Sequence, residues 1–349
     1  MRIAYLANSD DLLHPADRRR FGYFARKNNI IFENFDNSKN YDLLIISIAA
    51  NFHKILSYKK QFPNTKIIFD YCDDLLSDSK LKQLIRPLYE SIKWRSFKNF
   101  CNFNNLVVEV LSSSDIVICG SVEQRNNLLK YNKSVEVIPD FVITESLYKK
   151  DNFELVNHER VSILWEGLSG GLLRVVKDLF KLFKNLDSKV LLNIVTDPNT
   201  YLIGDRFIKI DTKKYLARMS KKYGIEVRFW SWSKTNLNRA IEASDLGIIL
   251  IPENNATMQN KPENKLVLLS SFSIPVLVSP TPSYKRFINN AGGEKLYGLS
   301  TNFEKLNIQD FCSKKSIRAF VGEHLYNYAI KEYSEKKILV KWQNILNKF

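Results

Sequence analysis

The chain has 349 residues, enough for two domains that each bury a core without staples, which excludes a peptide, a disulfide-held miniprotein or one small module. Apolar residues make up 45% and charged residues 26%, which excludes a largely disordered or fibrous chain. Lysine and arginine exceed the acids by 15, pointing to nucleic acid, anionic lipid or a phosphorylated small molecule, although 33 asparagines mark a Lys/Asn-leaning composition that accounts for part of the excess.

Short β-rich apolar runs alternate with helical-period stretches, the pattern of parallel sheets built from βαβ units. In such sheets ligands bind beyond the carboxyl ends of the strands, so each loop that follows a strand is a candidate site. The first strand is expected at 3–7. Its loop, from Asn8 to Arg20, holds His14, a candidate base or a ligand for a substrate hydroxyl or phosphate. The same loop ends in Asp17, Arg18, Arg19 and Arg20, where the arginines either hold an anionic acceptor or line the exposed face of a helix. Next come a helix at 16–27, strands at 30–35 and 43–48, a helix at 52–60 and a strand at 66–70. That strand ends in Asp70-Tyr71-Cys72-Asp73-Asp74, carboxylates suited to sugar hydroxyls or to capping a helix. No third carboxylate or histidine stands at ligand spacing, so no metal site is expected.

Segment 80–100 carries six basic residues and one acid, Glu90, interleaved with Leu, Ile, Tyr, Trp and Phe. It suits anionic lipid headgroups, or it is a helix packed on the sheet with a solvated basic rim, interrupted or started by Pro87. A helix is expected at 81–97, strands at 116–119 and 135–138, and a helix at 122–131. Periodicity lapses over 139–160, which sets the expected domains at 1–150 and 151–349. The second series of strands is expected at 161–165, 190–195, 226–229, 246–250 and 274–278, with helices between. Residues 317–349 read as a terminal helix pair that packs back across both domains.

Three loops of the second series carry chemistry. Trp165-Glu166-Gly167-Leu168-Ser169-Gly170-Gly171 opens a helix: glycines let backbone approach a ligand, and free N–H groups at the positive end of the helix dipole favour phosphate. The alternative is a Gly-rich turn with a serine cap. In Asn260-Lys261-Pro262-Glu263-Asn264-Lys265-Leu266, Lys265 falls in the first turn of a helix, where a cation is disfavoured unless an anion shares the site. Finally, Trp230 and Ser231 end a strand, where indole can stack on a nucleobase or pack in the core.

The four cysteines, Cys72, Cys101, Cys119 and Cys312, form no C-x-x-C pair and no dense framework, so reduced thiols in a cytosolic protein are expected. No apolar run approaches the ~18 residues of a membrane span, and the first residues form a strand where a signal peptide would need more apolar length.

The chain resembles the GT-B glycosyltransferases, most nearly the glycosyltransferase family 4 type. The likeness rests on Asp115-Ile116-Val117-Ile118-Cys119-Gly120-Ser121 and Val135-Glu136-Val137-Ile138-Pro139-Asp140 in the first half. In the second it rests on Ser244-Asp245-Leu246-Gly247-Ile248-Ile249-Leu250-Ile251-Pro252, on Asn264-Lys265-Leu266 and on Ile274-Pro275-Val276. The resemblance implies an α/β chain of two Rossmann-like doubly wound domains facing a cleft. It also implies a nucleotide-sugar on the second domain, an acceptor on the first, and no cofactor or metal, since basic side chains and a helix N-terminus stabilise the leaving diphosphate. The candidate donor contacts are then Glu166, Gly167, Ser169, Gly170, Trp230, Ser231, Glu263, Asn264 and Lys265. Asp17, Arg18, Asp73 and Asp74 are the candidate acceptor contacts, and His14 and Lys265 the candidate catalytic groups.

Three departures stand out. The Glu-x7-Glu pair usual in family 4 aligns with Asn260 and Leu268, leaving Glu263 as a neighbouring substitute. A glycine common before the Pro-Val strand is Ser273, and the usual glycine-rich loop after the first strand is the Asp10–Arg20 segment. The expected function is transfer of a sugar from a nucleotide-sugar to a glycan or lipid-linked acceptor in surface polysaccharide assembly, with retention implied only by the family. The expected place is the cytoplasm, at the inner face of the membrane. The alternatives are a non-catalytic module of the same fold that binds a glycan or protein, and a nucleotide-sugar epimerase. Nucleic acid is a weaker alternative, since no helix-turn-helix, RNP or zinc signature accompanies the charge.

Overall fold

The computed structural model describes residues 1–12, 14, 16–77, 103–142, 148–203, 207–252, 259–292 and 305–349; the basic segment 80–100 lies outside the described residues. The first series runs β1 (Ile3–Leu6), α1 (Phe21–Lys27), β2 (Glu33–Asn34), β3 (Leu43–Ser47), α2 (Phe52–Gln61) and β4 (Lys66–Tyr71). It continues with α3 (Phe103–Ser113), β5 (Ile116–Cys119), α4 (Val122–Leu128) and β6 (Val135–Val137). The second runs β7 (Val161–Glu166), α5 (Ser169–Lys184), β8 (Val190–Thr196), β9 (Asn199–Ile203), β10 (Phe207–Asp211), α6 (Thr212–Tyr223) and β11 (Glu226–Ser231). After it come α7 (Lys234–Glu242), β12 (Leu246–Ile249), α8 (Asn264–Ser270), β13 (Val276–Val278), α9 (Pro282–Asn290), α10 (Lys305–Ser313), α11 (Lys315–Glu332) and α12 (Glu335–Leu346).

Two parallel sheets result. The first has the order β2-β1-β3-β4-β5-β6 and the second β11-β8-β7-β12-β13, with β9 and β10 forming a separate antiparallel pair. Both orders reverse beside their first strand: the first sheet between β1 and β3, the second between β7 and β12. Such reversals leave a crevice at the carboxyl ends, because the two flanking connections depart to opposite sides.

Alternation along the strands explains how both faces of the first sheet are covered. Leu44 and Ile46 of β3, Ile67 and Phe69 of β4, and Val117 of β5 pack with α2 and α3 through Phe52, Ile55, Val107 and Val110. Their neighbours Leu43, Ile45, Ile68, Ile116 and Ile118 face the other way, onto Phe21 and Phe24 of α1 and onto Ile338, Trp342 and Ile345 of α12. A strand buried on both faces reads as an unbroken apolar run, as β3 does.

One device recurs in the two sheets. Asp115, just before β5, receives the Ile67 N–H on its carboxylate at 2.9 Å while its own N–H donates to Ile67 O. Asp245, just before β12, does the same with Ser162, and also receives the Val156 N–H. The carboxylate thus supplies an acceptor where the ladder has run out, so each Ser-Asp pair sets the register of a central strand.

The chain divides into two compact units: Met1–Phe141, Asn255–Pro262 and Glu335–Phe349 form one, and Val142–Asn254 with Glu263–Ser334 the other. The division differs from the expected 1–150 and 151–349, since α12 and the 255–262 segment belong to the first unit while α11 belongs to the second. The expected helix at 16–27 begins only at Phe21, and the expected strand at 30–35 pairs over two residues. The β9–β10 pair was not anticipated. Among the described residues no helix is long and apolar enough to cross a membrane.

Candidate functional site

The crevice of the second sheet opens where β7 ends. Gly167 follows Glu166 with φ +152°, a conformation that side-chain-bearing residues rarely adopt, and its N–H donates to Val195 O. Lys265, in the first turn of α8, reaches across to this turn: its Nζ donates to Glu166 O at 3.0 Å and lies 4.8 Å from the centre of the Trp165 ring. A Cβ on residue 167 would fall 2.1 Å from that Nζ. The missing side chain therefore provides the ammonium's seat.

Five helices, α2, α4, α6, α7 and α9, begin at a side chain that accepts an N–H of the first turn: Asn51, Ser121, Asp211, Ser233 and Thr281. Helix α5 does not; its cap residue is Leu168, 72% exposed and without an acceptor. The first turn of α5 is thus met by no cap side chain, and its Gly171 N–H turns back to Leu168 O. Ser169 N–H meets the Asp197 carboxylate at 3.3 Å, and Ser169 Oγ donates to Asn199 O in β9. Gly170 lies beside Thr200. Asp197 and the start of β9 therefore border the turn that the sequence singled out for phosphate.

Glu263 is buried at the start of α8, accepting from Arg286 at 2.7 Å and from the Tyr333 hydroxyl, while its Oε2 has no hydrogen-bond partner. Burial and then the Glu263 charge push the Tyr333 phenol well above its usual range. Tyr284, fully buried, is pushed up by burial first and then by Glu263 and Glu166. Its hydroxyl stays protonated. Asn264 follows Glu263 at the start of α8, half-buried.

Of the two tryptophans near the end of β11, Trp230 lies in the strand, half-buried, and its Nε1 donates to Asn193 inside the sheet. Ser231 is exposed, its carbonyl accepting from the Asn236 side chain. Trp232 reaches Glu166 instead, donating from Nε1 to Oε1 at 3.1 Å. The indole at the Glu166 turn is thus Trp232, just beyond the strand end, and not Trp230.

In the first unit, the expected acceptor residues hold the loops that carry them. Asp17 is fully buried and receives the Tyr5 hydroxyl at 2.6 Å, the Asn8 N–H and the Ser9 N–H, so it fastens the loop after β1 to that strand. Arg20 is equally buried, paired with Asp70 and Asp140 and donating to Ile138 O. Arg18 is partly buried, with its Nε inside and unpartnered, and Arg19 lies 3.6 Å from Asp140. Of the arginine run, Arg20 thus belongs to the interior, tying the carboxyl ends of β4 and β6 together. His14 is exposed, and its Nδ1 accepts from Ala16 N–H, which leaves Nε2 as the protonated nitrogen. Asp74 is buried and accepts from Tyr71, Leu76 and Ser77, and from the Asn260 side chain at 3.2 Å. Asp73 is half-exposed and pairs with Lys261. Among the described residues no group of three or more metal-binding side chains comes together.

No family model matches the sequence, and no curated protein matches it significantly. Solved structures do match in fold. A TarM variant from S. aureus, in complex with fondaparinux, alpha-GlcNAc-glycerol and UDP, aligns over 87% of this chain at 14% identity and TM-score 0.57. This chain spans about half of that protein, 55% of its length. The N-terminal domain of a Candida albicans trehalose-6-phosphate phosphatase aligns over 93% of this chain and 72% of its own at 12% identity, TM-score 0.59. An E. coli trehalose-6-phosphate protein bound with UDP-2-fluoro glucose aligns over 89% of this chain and 73% of its own, at 12% identity and TM-score 0.57. With its two parallel sheets of six and five strands, the chain has the fold of a divergent GT-B glycosyltransferase.

Proposed function

We propose that the chain is a glycosyltransferase that takes its sugar from a nucleotide-sugar and binds the donor's diphosphate at the crevice of the second sheet. One observation carries the reading: Lys265 Nζ sits in the notch left by Gly167, at the strand-order reversal, beside the first turn of α5. An ammonium group beside the positive end of a helix dipole suits the charge that develops on a departing diphosphate. Trp232, hydrogen-bonded to Glu166 at the end of β7, stands beside this turn, placed for the nucleoside or the sugar. UDP and UDP-2-fluoro glucose bound in two proteins of the same fold support this assignment. The acceptor in this proposal is a glycan or lipid-linked glycan, met at the inner face of a membrane during surface polysaccharide assembly. Transfer proceeds without a metal and with retention of configuration.

The test is a thermal-shift panel of UDP, GDP, ADP, dTDP and CMP on the wild type and Lys265→Ala. At least one diphosphate should stabilise the wild type, and the substitution should reduce the shift. Equal shifts in both proteins would remove Lys265 from the site.

A second reading, a glycan- or protein-binding module without catalysis, is favoured by the fate of the carboxylates. Asn260 is turned to Asp74 and Ser77, Leu268 carries no charge, and Glu263 is committed to Arg286 and Tyr333. Saturable hydrolysis of, or transfer from, any nucleotide-sugar would dismiss it.

A further inference from the structure

The excess positive charge of the chain is gathered by the fold of the second unit. The connections β7–α5–β8 and β8–α6–β11 step the same way along the sheet, so right-handed crossovers set α5 and α6 side by side on one face. Phe180 of α5 and Tyr223 of α6 meet there, with ring centres 5.6 Å apart. Each helix buries one side, α5 through Leu172, Val176 and Leu179 and α6 through Leu216 and Met219, and exposes the other. The exposed sides hold nine basic residues against one acid, Asp178, so more than half of the chain's excess of 15 stands on this helix pair. Asp211, at the start of α6, is taken up in capping the Lys214 N–H. A Lys-rich composition alone would scatter lysines over the surface; here they form rows.

Arg174, Lys177, Lys181 and Lys184 recur at three- and four-residue steps, which makes one row about 15 Å long down α5. Lys214, Arg218 and Lys221 repeat the spacing on α6, about 8–10 Å to the side at ordinary helix-packing distance. Two rows of cations fit a chain of regularly spaced anions, which pairs with several of them at once and releases their counterions. A bilayer fits less well, because none of the exposed large apolar side chains lies on either helix and nothing there would enter the interface. Nucleic acid fits less well too: seven of the nine cations are lysines, without the guanidinium fork, and Tyr215 and Tyr223 are half-buried, leaving no exposed ring for a base to stack on. We propose that the α5–α6 face binds an acidic polysaccharide, a chain with a carboxylate or a phosphodiester in each repeat. The word polysaccharide rests on the transferase reading above, in which this chain is acceptor or product held outside the crevice; the polyanion rests on the helices alone.

The experiment uses the full chain without nucleotide. Fluorescence anisotropy would follow labelled oligogalacturonate and oligo(glycerol phosphate), which separate the carboxylate from the phosphodiester, with neutral dextran, single-stranded and duplex DNA, and phosphatidylglycerol vesicles in competition. At least one acidic glycan should bind, more weakly as salt rises, and dextran should not compete. Lys177→Glu with Lys181→Glu on α5, and Arg218→Glu with Lys221→Glu on α6, should each weaken it about tenfold, every exposed cation counting once for the attraction lost and once for the repulsion gained. Lys60→Glu with Lys133→Glu makes the same change in net charge at exposed positions of the first unit. That control should stay within about twofold of the wild type at physiological salt, where charges more than about 8 Å away are screened. The thermal shift with nucleoside diphosphates, measured in parallel, should be the same in all four proteins. Its absence from all of them with glycan binding intact would sink the donor assignment and leave this surface standing. No binding by either acidic glycan, tighter binding of DNA or vesicles, an equal loss in the control, or unchanged affinity in both helix variants would overturn the inference.

Discussion

Gly167→Ala separates a seat for an ammonium from a merely flexible turn. The new Cβ would fall 2.1 Å from Lys265 Nζ and 3.1 Å from the Trp165 ring, so the far end of the lysine must swing away from Glu166 O. The alanine must also hold φ near +152°, at a cost of about 1–3 kcal/mol in stability. A charge-assisted bond from the ammonium to a phosphate contributes about 1.5–3 kcal/mol, which is roughly 10- to 150-fold in affinity. Calorimetric titration of the best-binding nucleoside diphosphate into wild type, Gly167→Ala, Lys265→Ala and the double variant forms a complete cycle. Each single change should lose roughly 10- to 150-fold, and the double no more than either, because both remove the same ammonium from the same place. Additive losses, or an undiminished affinity in Gly167→Ala, would refute the seat.

Further outcomes follow from other groups described above. Arg20→Ala leaves Asp70 and Asp140 without their buried partner and should destabilise the protein by about 3–5 kcal/mol in chemical denaturation, far more than Arg19→Ala at its looser pair. Ser273→Gly should stabilise by about 1 kcal/mol, since Ser273 holds φ +59° and buries an unpartnered hydroxyl. The two register-setting aspartates should differ in acid. The Ile67 N–H and the Lys66 and Lys59 ammonium groups outweigh burial and hold the Asp115 carboxyl below its usual value, so its contribution is complete above pH 3.8 and fades as pH falls through the folded value. Burial pushes Asp245 up, against the Ser162 and Val156 amides, so its folded state takes a proton first. The stability gap between wild type and Asp115→Asn should therefore shrink below pH 3.8, while that for Asp245→Asn should narrow as pH rises from 3.8 through the folded value. Denaturation midpoints across pH 2.5–7 would check both, and parallel curves would refute the assignment.

The sheet strands were legible because the interior of a parallel sheet demands what the sequence displays. Residues Leu43 to Ser47 and Val190 to Thr196 are apolar runs, the second broken only by Asn193, and both are buried throughout. The β9–β10 pair was not, because its residues Asn199–Ile203 and Phe207–Asp211 add no strand to the sheet and interrupt no expected period; its clue was the Gly204-Asp205 pair between two short apolar runs. The loop after β1 was read as a helix start because Asp17 and its arginines look like a solvated helical turn. Whether an aspartate faces a ligand or its own backbone depends on where Asn8 and Ser9 fold back, which spacing does not encode. Lys265 stood out by charge logic alone, a cation in the first turn of a helix, and the structure supplies its partner carbonyl and its glycine notch. Trp232 shared the signal of Trp230, an indole at a strand end, and only the fold separates the two; Asp197 carried no signal, since an aspartate before a proline is common furniture of loops.

The ownership of α12 has a practical corollary for anyone who would cut the gene in half. Ending a clone near residue 150 would strip away Trp342, whose indole lies 5.9 Å from the Phe21 ring and 6.1 Å from Phe24, and bare a greasy flank of the amino-terminal lobe. A lobe prepared for separate study should have Glu335–Phe349 grafted back through a short linker; without that graft, clumping of the fragment would report a missing lid and say nothing about ligands.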